Sequence, residues 1–80
     1  SVKIIQNPAR GIIQLMFNND TNKAHISLVN SASVKLLEFN QKNILQNQEL
    51  DIPVNNLSGG IYFLKVATSN SIETHKIVIE

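Results

Sequence analysis

The sequence predicts an all-β protein, a two-layer antiparallel β-sandwich of about seven short strands. Three observations carry this. Apolar and polar positions alternate, as where Ile26 and Leu28 interleave with His25 and Ser27; that is the period of a half-buried strand. The apolar runs recur roughly every ten residues between clusters of Asn, Ser, Thr and Gly, the rhythm of a sandwich. No segment sustains the roughly 3.6-residue apolar period of a helix.

Taken in order, residues 2–5 are a short β-prone run. Pro8 lacks an amide hydrogen and biases Asn7 toward extended geometry, so the first strand stops there and residues 7–11 form a turn. Residues 12–17 are the second strand, with Ile13, Leu15 and Phe17 inward and Gln14 and Met16 outward. Residues 18–22 form a polar turn. Residues 24–29 are the third strand, with Ile26 and Leu28 inward and His25 and Ser27 outward. Residues 30–33 lead into a fourth strand, 34–39, whose facing is open: Val34 and Leu36 share one side, Leu37 and Phe39 the other. Residues 40–48 are polar apart from Ile44 and Leu45 and read as a loop, at most with a brief extended piece. Residues 49–54 are the next strand, with Leu50, Ile52 and Val54 inward; Pro53 places it at an edge or ends it early. Leu57 is expected to tuck under the terminal hairpin.

Residues 58–80 hold the most apolar strand pair and are expected to form the centre of the core. Gly59-Gly60 allows the chain to turn, because glycine accepts φ > 0. Residues 61–67 then place Tyr62, Leu64 and Val66 inward. Residues 68–71 are small and polar, as a hairpin connection requires. Residues 73–79 return with His75, Ile77 and Ile79 on one face and Lys76 and Val78 on the other.

Eighty residues permit one domain, residues 1–80. A domain this small buries only about 60–65% of its unfolded surface. Hydrophobic residues make up 42% and charged residues 16%, too apolar a balance for disorder. Cysteine is absent, so neither a disulfide nor a thiolate metal site staples the fold. Net charge is +1, and no run of basic residues or basic–aromatic alternation points to nucleic acid. No apolar run reaches the length of a membrane helix, so membrane insertion is not expected. Ser1-Val2-Lys3 does not open a signal peptide. An exported protein with this sequence is therefore expected to be the later part of a longer precursor.

The end of the chain carries a resemblance. Gly60-Ile61-Tyr62-Phe63-Leu64-Lys65-Val66 is followed, after a polar gap, by Lys76-Ile77-Val78-Ile79 and the last residue, Glu80. Asn7-Pro8-Ala9 stands near the start. This order resembles the C-terminal sorting domain of the bacterial type IX secretion system. That family ends in G-x-Y-x-x-K/R-V, a turn and K-I/V-V-I/V, and carries an Asn-Pro-Ala turn early. The sequence departs from it in two places. Gln6 stands where a proline often precedes the asparagine, and residues 30–33 lack the usual Asp-x-x-Gly, so the turn type there is not read from the sequence.

The resemblance implies an immunoglobulin-like antiparallel sandwich that acts as a secretion signal and is not an enzyme. It implies a cargo domain N-terminal in the same precursor, carried over the inner membrane by a separate signal. The partners implied are the outer-membrane translocon, which passes the cargo from periplasm to cell surface, and a surface sortase. The sortase often cuts before the domain, at or before Ser1 here, and joins the cargo to lipopolysaccharide. Gly60, Tyr62, Lys65, Lys76, Val78 and Glu80 become the candidate recognition residues, with Asn7, Pro8 and Ala9 as the motif turn. The alternative is an immunoglobulin-like adhesion or carbohydrate-binding module. Absence of Trp and only 5% aromatic residues argue against a sugar-stacking platform.

No catalytic, cofactor or metal constellation is expected. His25 and His75 are the only histidines, and three-ligand spacing is missing. Both read as structural or solvent-facing, with His75 a partly buried ring satisfied by backbone. Ser58-Gly59-Gly60 leads into a strand, whereas a phosphate cradle needs a helix N-terminus. Lys65 and Lys76 read either as a recognition patch or as solvated positions that discourage edge aggregation. Tyr62 reads as a core aromatic with its hydroxyl bonded near the surface. Phe63, on the opposite face, packs on a loop or belongs to an exposed apolar patch.

Overall fold

The computed structural model describes residues 2–80. Seven strands follow in order: β1 (Val2–Ile4), β2 (Ile12–Phe17), β3 (Thr21–Asn30), β4 (Lys35–Ile44), β5 (Glu49–Pro53), β6 (Gly60–Ala67) and β7 (Ile72–Ile79). They form two antiparallel sheets, a three-stranded one ordered β1-β2-β5 and a four-stranded one ordered β4-β3-β6-β7. The described residues contain no helix. This is the sandwich that the alternating pattern predicts.

The core lies between the sheets and is built by strand parity. Ile13, Leu15 and Phe17 from β2 meet Ala24, Ile26 and Leu28 from β3, Leu64 and Val66 from β6, and Ile77 and Ile79 from β7. In β4 the open question of facing resolves to Leu37 and Phe39, which pack on the core opposite Leu28 and Ile26, while Val34 and Leu36 are exposed. Leu57 packs against the core as expected, and Pro53 closes β5 at a sheet edge.

Several expectations are corrected. The third and fourth strands are longer than their apolar runs, because the β3–β4 ladder continues through polar pairs such as Lys23 with Lys42 and His25 with Asn40. Backbone hydrogen bonds do not need apolar side chains, so residues 40–44, read as loop, are strand. Asn43 is left-handed (φ 55°), and Ile44 beyond it is buried in the core. Ser27 faces outward but is only 5% exposed, since it lies on a central strand between Glu38 and Lys65. The terminal hairpin is not wholly central either: β6 is, but β7 is the edge of its sheet.

The turn at residues 30–33 is closed by side-chain chemistry. Asn30 Oδ1 accepts the amides of Ala32 and Val34 at 2.9 and 3.0 Å. Ser33 takes a left-handed conformation, φ 64°. Asn30 thus supplies the side-chain acceptor that aspartate would offer, and Ser33 takes the position suited to glycine.

Candidate functional site

The exposed edge of β7 is where the two ends of the chain meet. Asn7 Nδ2 donates to the Lys76 carbonyl at 3.0 Å, and Asn7 Oδ1 accepts the Val78 amide at 3.0 Å. One primary amide thus satisfies a donor and an acceptor of the strand edge, as a neighbouring strand would. The Asn7-Pro8 bond is cis. Ala9 continues the contact: its amide donates to the Val78 carbonyl at 2.7 Å, and its carbonyl accepts the Glu80 amide at 2.9 Å. Ala9 pairs with Ile79 as an isolated parallel bridge, and its side chain is fully buried. Arg10 Nε donates to Glu80 Oε1 at the surface.

The approach to β6 explains the two glycines. A Cβ on Gly59 would lie 3.2 Å from the Ile79 carbonyl oxygen, so the connection passes close under the end of β7. Gly60 has φ +154°, a conformation that residues with a Cβ rarely adopt. Tyr62 then points inward, 7% exposed, and its hydroxyl donates to the Ser58 carbonyl at 2.6 Å. Such a tyrosine, bonded back to the chain just upstream, recurs at the corners of immunoglobulin-type sandwiches.

The candidate residues therefore divide. Asn7 and Ala9, with Pro8 between them, build the join between the chain ends, while Gly60 and Tyr62 shape the entry to β6. Lys65, Lys76 and Glu80 are exposed on the outward side, and Val78 is half-buried there. Arg10 was not among the sequence-derived candidates; its position directly after the motif turn, with an acidic last residue, was the available signal.

The histidines take no part in this join. His25 is exposed, with Nδ1 against Asn40 Oδ1 and Nε2 against Glu38 Oε2, both at 2.9 Å. Glu38 also accepts Lys35 Nζ at 3.0 Å. The hydrogen bonds from Lys35 and His25 hold its carboxyl below the ordinary value. His75 is half-buried, but a carboxylate satisfies it and not backbone: Nε2 lies 3.1 Å from Glu73 Oε1. Burial pushes the Glu73 carboxyl up, but the groups facing it, His75 and the Val2 amide foremost, leave it lowered on balance.

A family model described as a secretion system C-terminal sorting domain matches residues 3–80. The chain belongs to the type IX secretion sorting-domain family. The match spans both the Asn7-Pro8-Ala9 turn and the terminal hairpin, the two segments that meet in the β7 join. No match to a curated protein was found. Domains of this family are the C-terminal sorting signal for type IX secretion, which directs export to the cell surface or release. In this sorting domain that signal is a folded sandwich whose start and end are hydrogen-bonded together.

Proposed function

We propose that residues 1–80 are a single domain acting as a non-catalytic folded address, and that it is read on the outward side of the terminal hairpin. The supporting observation is the division of the motif. Asn7 and Ala9 hold the chain start to β7, with Pro8 between them, and Gly60 and Tyr62 shape the entry to β6. Lys65, Lys76 and Val78 present side chains outward and are available to a partner, and Glu80 stands beside them, paired at the surface with Arg10. The partner is the outer-membrane translocon, met in the periplasm, and the passenger is a cargo domain N-terminal in the same precursor. A surface sortase then cuts ahead of the sandwich and joins the cargo to lipopolysaccharide. The expected cut, at or before Ser1, lies outside the described residues.

The test joins the chain to a reporter bearing an inner-membrane export signal, in a cell with the type IX system. The intact chain should bring the reporter to the surface. Removing residues 76–80 should leave it in the periplasm. Surface delivery without those residues would contradict the reading.

A further inference from the structure

The net charge of +1 conceals a split between the two outer faces. The strand register gathers five of the six lysines on the outer face of the four-stranded sheet: Lys23, Lys35, Lys42, Lys65 and Lys76. Within the strands, Glu38 is the carboxylate on that face, and it is already bonded to Lys35 and His25. The outer face of the three-stranded sheet leans the other way, with Glu49 and Asp51 against Lys3. No run of basic residues reveals this, because the lysines alternate with inward positions on four separate strands.

An apolar patch lies toward one end of this face, beside Lys35, Lys65 and Lys76, with Lys23 and Lys42 further along β3 and β4. Val29 pairs with Phe63, Phe63 with Lys76, and Ile61 with Val78 across the ladder. A β-bulge beside Val29 sets Lys35 opposite it and leaves Leu36 alongside. Ile61 is 45% and Leu36 39% exposed, although both sit on a sheet face. Apolar residues flanked by charged ones on one face are the anatomy of a protein interface.

We propose that this face docks an acidic protein segment, with apolar side chains seated on Val29, Ile61, Phe63 and Val78 and carboxylates paired to the lysines beside the patch and along β3 and β4. The proposal rests on the address reading and names the chemistry that reads it. It also extends the recognised surface from the terminal hairpin to β3 and β4. Charge complementarity decides the sign of the partner. The patch is flush with the sheet, with Val29 buried and Phe63 and Val78 half-buried, whereas a membrane anchor sinks protruding apolar groups into the headgroup boundary. Phe63 is the one aromatic on this face, since Phe17, Phe39 and Tyr62 point inward, so there is no stacking platform for single-stranded nucleic acid.

The test uses lysines outside the terminal hairpin, in the chain carried by a reporter cargo. Replacing Lys23, Lys35 and Lys42 together by Gln should keep the thermal melt and lower surface delivery about tenfold. Replacement by Arg should restore delivery, and replacement by Glu should lower it further than Gln. Unchanged delivery in both the Gln and Glu sets would overturn the inference. If the set Lys76→Ser, Val78→Thr and Glu80→Gln still blocked export, the address reading would survive without it. Equal loss with Gln and Glu would overturn the acidic partner. The purified chain should not sediment with phosphatidylglycerol vesicles. Sedimentation abolished by the Gln set would reassign the face to a membrane and overturn the proposal.

Discussion

Asn7 and Val78, 71 positions apart, share a 3.0 Å hydrogen bond from the Val78 amide to Asn7 Oδ1. The same side chain donates to the Lys76 carbonyl. The motif turn is therefore a clamp on the edge of β7, covering part of a backbone row that would otherwise invite pairing with another chain.

Replacing Asn7 by Ala removes both hydrogen bonds. Each is exposed, so water takes over part of its role, and a net contribution near 0.5–1.5 kcal/mol per bond predicts a loss of about 1–2 kcal/mol. Denaturant unfolding measures the loss. Amide exchange should accelerate at Val78 more than at Leu64, because the opening is local to the edge.

Leu64 and Lys65 test the facing of β6. Leu64 is fully buried between the sheets, and Leu64→Ala should cost about 2–5 kcal/mol. Lys65 is exposed, and Lys65→Ala should stay within about ±0.5 kcal/mol. Similar shifts in the two denaturant midpoints would refute the assigned facing.

Much of the fold was legible in the sequence, and the parts that were not share a cause. The facing of β2, β3, β5, β6 and β7 came from alternation, because in those strands one face is apolar. In β4 adjacent Leu36 and Leu37 broke the alternation, and only the neighbouring strand decides between them. The extension to Ile44 was hidden because its ladder runs through polar residues. Asn7-Pro8-Ala9 was recognisable as a turn, but its docking on β7 was not, since local patterns carry no information about contacts 71 positions apart. The lysine face was hidden for the same reason: it exists only across strands.

Ser33 offers a stabilising substitution. A residue with a Cβ at φ 64° is strained by about 1–2 kcal/mol, which glycine relieves, at some cost in unfolded-chain entropy. Ser33→Gly should raise stability by up to about 1 kcal/mol, read as a higher melting temperature.

Acid should weaken the fold through Glu73. Its carboxyl is held below the ordinary value of 4.5, so the folded state favours the charged form. The stabilisation is fully present above that value and is lost as pH falls through the lower folded value. Melting temperature should decline below about pH 4.5, and Glu73→Gln should flatten that decline. An acid limb unchanged by the substitution would assign it to other carboxylates.

The central claim is that the outward side of β7 is read while its inward side holds the fold. Surface delivery of a reporter carrying Lys76→Ser, Val78→Thr and Glu80→Gln together tests this most directly. Buried Ile77 and Ile79 stay in place, and the lost Arg10–Glu80 pair is exposed and worth little. The expected result is a variant that melts as a folded protein yet leaves its cargo in the periplasm. Normal surface delivery by the folded variant would contradict the claim and would mean that the terminal segment serves sorting only by completing the sandwich.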